Sequence, residues 1–343
     1  MNFVDPKVLE EHYQMYQVID EEGKVVNEES LATFSDKQLK ELMTRMVYTR
    51  AWDEKSAIFT TKEIGIHAPV SGQEASMIGS QYALGQTDWI APTFRDIPQI
   101  MWHGFPKYKA ILYQRGHFVG GQVPKDVHVL NPQIVIAAQM TQATGLGLGL
   151  KKDNNGQVVI VYGGDGSTSQ GDFYEAMNFA SVFGTNTIFF IQNNQYAATV
   201  KIADQTTTKT LAQKALAAGI KSIQVDGMDV LAVYKVTQKA RMMAAKGEPV
   251  LIEAINYRIH AHFAGDDPSR YRLLDEIHEN WLAKEPLIRY RKFLEKRNLW
   301  STEEEKAVIK HAEYDLDQAI EKARQVPKQT IADLETIMYQ STD

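Results

Sequence analysis

The chain has 343 residues, of which 44% are hydrophobic and 23% are charged, and its formal net charge is −6 at pH 7. These values are typical of a globular protein with ample core volume, and the negative balance disfavours a nucleic-acid binder. The chain contains no cysteine, which excludes disulfides, thiolate nucleophiles and cysteine-ligated metals.

The N-terminal segment has no basic stretch followed by an apolar one, as a secretory signal would. No window reaches the roughly 20 apolar residues that a membrane span requires. We therefore expect a cytoplasmic protein that binds neither membrane nor nucleic acid.

The first elements predicted along the chain are an arm and three helices. Residues 1–34 predict an irregular arm with a turn at Glu22-Gly23. Ser35, as N-cap, and Gln38, as its capping-box partner, predict the start of a long amphipathic helix. Further helices are predicted over residues 72–84 and, in a segment rich in small residues, over 131–152.

From Val158 to Arg258, strand-like and helix-like segments alternate. Short, apolar, β-branched runs at 158–162 and 187–191 predict buried strands, and the apolar residues of 172–183 recur at helical spacing. The same alternation continues through 210–219, 222–227, 229–246 and 249–258. This order predicts an α/β fold with a parallel, doubly wound sheet and helices on both faces.

The C-terminal part, about residues 275–343, has helical periodicity and many charges, which predicts appended helices. No repeat or linker-like composition divides the chain. We therefore expect one α/β domain over residues 35–343, preceded by the arm.

Polar residues follow two neighbouring predicted strands. Asp165, within Gly-Asp-Gly, follows the first, and Asn194, within Asn-Asn, follows the second. Adjacent parallel strands bring such residues to one sheet edge, where open α/β sheets bind ligands. A carboxylate and an amide oxygen suit Mg²⁺, while Gly166 and Ser167 can offer N–H groups to phosphate. A Gly-Asp turn alone is commonplace, and neither a P-loop nor a GxGxxG dinucleotide motif is present here.

Together these segments resemble the E1 α subunits of the thiamine diphosphate-dependent 2-oxo acid dehydrogenase complexes. The resemblance covers nearly the whole chain and is strongest to the pyruvate-specific branch of Gram-positive bacteria. Its distinguishing motifs occur in the family's order: GQEAS, FRDIPQIMWHG, GDGSTSQGDFYEAMNFASVF, IQNNQYA, LAQKALAAGI, IQVDGMDVLAVY and DDPSRYR.

The resemblance implies that thiamine diphosphate is held through Mg²⁺. Asp165 and Asn194 would ligate the metal by their side chains, and Tyr196 by its backbone carbonyl. Arg95 would grip the diphosphate, and Phe94 before it stands where the family usually has Tyr. Ile134 and Ile136 match positions whose backbone groups hold the aminopyrimidine.

The loop 257–272 carries two His, three Arg and two Asp. By itself, such a loop would be expected to be solvated and internally paired. In the resembled family it closes over the cofactor. His262 would then act in proton transfer or substrate positioning, and Arg258 would add positive charge beside the diphosphate. Phe263 occupies the position where mitochondrial relatives carry a phosphorylatable Ser.

The expected activity is oxidative decarboxylation of pyruvate with acetyl transfer to the lipoyl group of an E2 acyltransferase. The Glu that activates the pyrimidine ring cannot be assigned in this chain, and the resemblance implies that a separate β subunit supplies it in an α₂β₂ heterotetramer. Acetoin and branched-chain 2-oxo acid dehydrogenases are alternatives in the same class. A catalytically silent structural subunit and a Rossmann-type nucleotide binder are alternatives from other classes.

Overall fold

The computed structural model describes residues 13–59 and 65–338. Its centre is a five-stranded sheet in the order β1-β2-β3-β7-β6, in which every neighbouring pair is parallel. A small antiparallel hairpin, β4-β5, follows β3. The strands are β1 Trp89–Ala91, β2 Val159–Gly164, β3 Thr187–Asn193, β4 Tyr196–Ala197, β5 Val200–Lys201, β6 Lys221–Asp226 and β7 Val250–Ile255.

Helices cover both faces of the sheet and extend beyond it. They are α1 Glu28–Leu31, α2 Asp36–Phe59, α3 Glu74–Tyr82, α4 Ile97–Trp102, α5 Lys107–Gln114, α6 Ala138–Asp153, α7 Gly171–Phe183, α8 Ile202–Gln205, α9 Val230–Ala244, α10 Leu274–Asn280, α11 Pro286–Glu295, α12 Thr302–Arg324 and α13 Ile331–Met338. None of the helices among the described residues has the length and apolar character needed to cross a membrane.

Strand β2 shows why the sheet is covered on both sides. Ile160 and Tyr162 belong to one hydrophobic cluster, with α3 and α9. Val159 and Val161 belong to a second cluster, with α6 and α7. Since successive strand residues point to opposite faces, a run that is apolar at every position needs a helical layer on each face. The predicted doubly wound α/β fold is confirmed.

Most predicted elements are confirmed, with two differences in detail. The capping box exists: the N–H of Gln38 donates to Oγ of Ser35 at 3.3 Å, and the N–H of Ser35 donates to Oε1 of Gln38 at 3.0 Å. The helix predicted to start at residue 131 starts at Ala138, because Ala137 adopts φ 70°, which a right-handed helix cannot contain. The segment predicted as helical over 210–219 contains a 3₁₀ helix, Ala212–Ala218.

The N-terminal arm is attached by buried polar contacts. The N–H groups of Val18 and Ile19 donate to Oδ2 of Asp229 at 2.7 and 2.8 Å. Arg289 of α11 donates to the carbonyl of Ile19 at 2.5 Å and to Oδ2 of Asp226 at 2.7 Å. The turn after Val225, part of the VDGMD motif, therefore joins the arm and the C-terminal helices to the sheet. Residues 1–12 of the predicted arm and 339–343 of the predicted C-terminal helices lie outside the described residues.

Candidate cofactor site

A cavity of about 330 Å³ lies at the carboxyl ends of β2 and β3. It is bounded by the 3₁₀ turn Asp165–Ser169, by the residues after β3 and by the loop that follows β7. The residues that line it are Gln73, Thr93, Phe94, Arg95, Ile136, Gly164, Asp165, Gly166, Ser167, Gln170, Gln192, Asn194, Tyr196, Ala197, Ala198 and His262. Of the residues predicted from the sequence, only Ile134 and Arg258 are absent from this lining.

Three oxygens converge at one wall of the cavity. Oδ1 of Asn194 lies 3.2 Å from Oδ1 of Asp165 and 3.1 Å from the carbonyl oxygen of Tyr196. Oxygens so close, without a hydrogen between them, repel one another. Rotating the Asn194 amide would place its nitrogen there as a donor, so either a proton donor or a cation must separate the three oxygens.

The spacing of these oxygens suits Mg²⁺. An octahedral ion with bonds of about 2.1 Å separates neighbouring ligand oxygens by about 3 Å. In the orientation with the oxygen toward Asp165 and Tyr196, Nδ2 of Asn194 donates to Oε1 of Gln73 at 3.0 Å. The described residues contain no cluster of three His, Cys, Asp or Glu that could hold a metal, so this one-carboxylate set depends on an amide and a carbonyl.

Burial brings the pKa of the Asp165 carboxyl group closer to neutral pH. Burial raises its pKa from the ordinary 3.8 to about 6, and a hydrogen bond from Gln205 opposes that rise. That bond runs from Nε2 of Gln205 to Oδ2 at 2.5 Å, so the other oxygen, Oδ1, faces Asn194. A cation bound at Oδ1 would stabilise the charged form of this buried carboxylate.

Arg95 reaches the cavity from the loop after β1. Its side chain is buried and donates to the carbonyl oxygens of Pro69 at 2.6 Å and His262 at 2.8 Å. Burial, and next the charge of Arg258, lower its pKa to about 9. The guanidinium therefore remains a cation at neutral pH, and two of its donors link the segment before α3 to the loop after β7.

Arg258 lies behind the lining and is fully buried. Its Nη2 donates to the carbonyl of Ala198 at 2.9 Å, while Nε and Nη1 have no partner. A buried guanidinium with two unused donors is costly unless an anion approaches it. Two buried arginines beside a possible cation site provide the charges that a metal-bound diphosphate requires.

His262 lines the cavity at the tip of the same loop. Burial, followed by the charges of Arg95 and Arg258, lowers its pKa to about 4, so the ring is neutral at pH 7. Nδ1 lies 3.1 Å from Nη2 of Arg95, which can only donate. The single ring proton is therefore on Nε2, and the ring offers a hydrogen-bond donor.

The structure places the other predicted residues as follows. Phe94 lines the cavity, with its ring edge-on to His262 at 5.9 Å between centroids. Ile136 lines it too, whereas Ile134 is 71% exposed outside it. Gly166 and Ser167 lie in the first turn of the 3₁₀ helix, whose leading N–H groups have no acceptor within a helix.

Sequence reasoning missed seven lining residues, of which Gln73 and Gln192 are the two with long polar side chains that are buried. Both are buried, and Nε2 of Gln73 and Oε1 of Gln192 have no partner. Nε2 of Gln192 donates to Oδ1 of the buried Asp96 at 2.7 Å, which joins the end of β3 to the loop carrying Arg95. Gln73 is at the start of the second predicted helix and Gln192 directly precedes Asn-Asn, and these positions were the available signal.

Comparisons with known proteins find similar proteins for nearly the whole chain. The family model described as dehydrogenase E1 component matches residues 43–332. A pyruvate dehydrogenase E1 component subunit alpha of Bacillus cereus is 50% identical over 337 residues, covering 97% of this chain and 91% of that protein. Subunits with the same description in Bacillus subtilis and Staphylococcus aureus are each 50% identical, covering 95% and 96% of this chain and 88% and 89% of their own.

Proposed function

Because the chain belongs to the dehydrogenase E1 component family, we propose that it is the α subunit of a pyruvate dehydrogenase E1 component that uses thiamine diphosphate and Mg²⁺. The observation that carries the proposal is the meeting of three unshielded oxygens and two buried arginines around one cavity.

The Mg²⁺ ion would be held by Asp165, Asn194 and the carbonyl of Tyr196. Arg95, together with the donors of Arg258 that have no partner, would neutralise the diphosphate. Gly166 and Ser167 would add backbone N–H donors. Ile134 and Ile136 remain proposed contacts of the aminopyrimidine through their backbone groups.

When bound, thiamine diphosphate supplies the electron sink for decarboxylation, and the protein supplies orientation, electrostatics and exclusion of water. His262, neutral and protonated on Nε2, would donate a hydrogen bond to the substrate or transfer that proton. The loop 257–272 would shield the site from water, because it carries His262 on the cavity side.

A separate β subunit is part of the proposal, since this chain supplies only part of the catalytic machinery. Asp165 is the only carboxylic acid among the described lining residues, and it belongs to the proposed metal set. The Glu needed at the pyrimidine ring must then come from another chain. We propose an α₂β₂ heterotetramer in the cytoplasm that transfers its acetyl product to the lipoyl group of E2.

An apolar surface on α7 supports the partner. On α7, Phe179, Val182 and Phe183 are 50%, 70% and 46% exposed. Val135, close to the cavity wall, is 68% exposed. Exposed apolar patches of this kind mark protein interfaces. We propose that the β subunit covers the face formed by α7 and residues 134–136.

The domain proposal follows the same lines. Residues 35–343 would form one thiamine diphosphate-binding unit with the helices from α10 onward appended, and residues 1–34 would form its arm. The α2–α12 contact through Tyr48, Trp52, Leu316 and Ile320 supports a shared core for the appended helices.

The experiment is reconstitution of the chain with its β subunit. Calorimetric titration should show thiamine diphosphate binding that requires Mg²⁺, and an artificial electron acceptor should report turnover with pyruvate. Faster turnover with acetoin or 3-methyl-2-oxobutanoate would transfer the assignment to those enzymes. Absence of cofactor binding by the assembled pair would contradict the proposal and favour a silent subunit.

A further inference from the structure

Gln205, the last residue of α8, contacts the carboxylate of the proposed metal set. Its Nε2 donates to Oδ2 of Asp165 at 2.5 Å and to the carbonyl of Val200 at 3.0 Å. Oδ1 of Asp165 is the oxygen 3.2 Å from Asn194. The two carboxylate oxygens therefore have different neighbours, and Gln205 occupies the one turned away from the proposed metal.

The segment that carries Gln205 is short and largely exposed. Val200 is 45% exposed, and the side chain of Lys201 is 50% exposed. The hairpin β4-β5 pairs Tyr196 with Lys201 and leads directly into α8. At its inner side, Ala197 packs on Gly166 so closely that a Cβ on that glycine would lie 2.8 Å from the Ala197 Cβ.

A second anchor holds the other side of this segment. Nζ of Lys201 lies 3.2 Å from Oε2 of Glu276, and the same carboxylate accepts from the hydroxyl of Tyr196 at 2.8 Å. Gln205 thus contacts Asp165, which is one proposed metal ligand. Lys201 and Tyr196, the residue whose carbonyl is another proposed ligand, both contact Glu276. The exposed segment 200–205 is attached to the proposed metal set at both points.

We propose that Gln205 is a positioning residue of the Mg²⁺ site, which holds Asp165 with Oδ1 toward the ion and couples metal loading to the ordering of the segment 200–205. This inference rests on the proposed function. A carboxylate can rotate about its Cβ–Cγ bond, and a hydrogen bond to one oxygen selects the rotamer that presents the other. By linkage, an ion that favours this rotamer must also favour the attached position of α8.

The test compares the assembled αβ protein with Gln205→Met, which keeps the length of the side chain and removes its amide donor. With thiamine diphosphate saturating, calorimetry should show that the Mg²⁺ affinity is weakened about 10- to 100-fold. This is the range observed when a residue that ligates a metal loses its hydrogen-bond partner. The circular dichroism spectrum of the metal-free protein should be unchanged, because α8 has only four residues and lies outside the sheet, so that the variant keeps the fold. Asp204→Ala, on the same helix, is the matched control and should bind Mg²⁺ like the wild type.

A second measurement follows the segment itself. Trypsin cleavage after Lys201, detected by mass, should be slowed by Mg²⁺ and thiamine diphosphate in the wild type, and not in Gln205→Met with the site equally saturated. Equal Mg²⁺ affinity and equal protection in both proteins would overturn the inference while leaving the proposed function intact. A wild type that fails to bind the cofactor would instead overturn the proposed function. If Gln205→Met does not assemble, Gln205→Ala provides the same comparison.

Discussion

Arg95 and His262 are joined by two contacts that reach the same guanidinium nitrogen. Nη2 of Arg95 donates to the carbonyl oxygen of His262 at 2.8 Å and lies 3.1 Å from its Nδ1. One residue follows β1 and the other follows β7, so the contact closes the loop onto the cavity. It also fixes the tautomer of the ring, since an arginine can only donate.

Replacing His262 by Ala should lower turnover with pyruvate by about 10²- to 10⁴-fold, the usual contribution of a positioned acid or base. His260 is the matched control, because it lies in the same loop but lines a different groove, together with residues of α2 and α11. His260→Ala should change turnover little. Steady-state assays of the reconstituted pair measure both variants, and equal losses would refute the assignment of His262.

The identity of the group between the three oxygens can be tested at Asn194. If a cation lies there, Asn194→Asp keeps an oxygen ligand, and the reconstituted pair should still bind Mg²⁺ and thiamine diphosphate. Asn194→Leu removes the ligand and should abolish Mg²⁺-dependent binding in calorimetry. If the amide instead donates to Asp165 and Tyr196, the introduced carboxylate would repel both oxygens, and Asn194→Asp would fail as completely as Asn194→Leu.

Mg²⁺ affinity should depend on pH through Asp165. Burial raises its pKa to about 6, so the carboxylate dominates above that pH. Mg²⁺ requires the carboxylate, and its affinity should therefore be about tenfold weaker at pH 5 than at pH 7. Calorimetry across this range measures the effect, and a pH-independent affinity would contradict it.

The stability of the metal-free protein should depend on pH in the opposite direction to the Mg²⁺ affinity. The pKa of Asp165 in the fold lies above its ordinary value of 3.8, so the native state binds the proton more tightly than the unfolded chain does. The contribution of this group to the free energy of unfolding is therefore greatest at low pH and is lost as pH rises through about 6. Asp165→Asn should remove that dependence in denaturant titrations.

Arg258 and Arg289 form a natural pair for comparison, because both are fully buried and only one is neutralised. Arg289 donates to Asp226, whereas two donors of Arg258 have no partner. Arg258→Met should weaken thiamine diphosphate binding and leave the metal-free protein at least as stable as the wild type. Arg289→Met should lower the free energy of unfolding by about 3–5 kcal/mol, because it leaves Asp226 uncompensated, and should spare cofactor affinity.

Denaturant titration and calorimetry together separate these two roles. The outcome that excludes an anion-binding role for Arg258 is a destabilised protein with unchanged cofactor affinity.

The exposed face of α7 should be required for pairing with the β subunit. Phe179→Glu places a charge in the proposed interface and should abolish co-purification of the two chains, because an unpaired charge buried at an interface is costly. Met242 on α9 is 58% exposed, outside that face, so Met242→Glu is the control and should pair normally. Analytical ultracentrifugation of the mixed chains measures both, and normal assembly of Phe179→Glu would move the interface elsewhere.

The sequence by itself determined the fold class and one edge of the site. Continuous apolar runs such as 158–162 specify strands buried on both faces, and the period of 172–183 specifies the helix between two of them. Parallel neighbours must then end together, which brings Asp165 and Asn194 to one edge whatever the details. These inferences succeed because they depend on periodicity and short-range geometry alone.

Only the tertiary structure decided how distant segments complete the site. The contacts of Arg95 with His262, of Gln192 with Asp96 and of Gln205 with Asp165 join residues far apart in the chain. No local pattern encodes such contacts, because they depend on how loops return to the sheet edge. The pKa shifts of Asp165 and His262 follow from the burial that the same contacts create. Sequence thus identified which groups could act, and packing decided their charge, their tautomer and their partners.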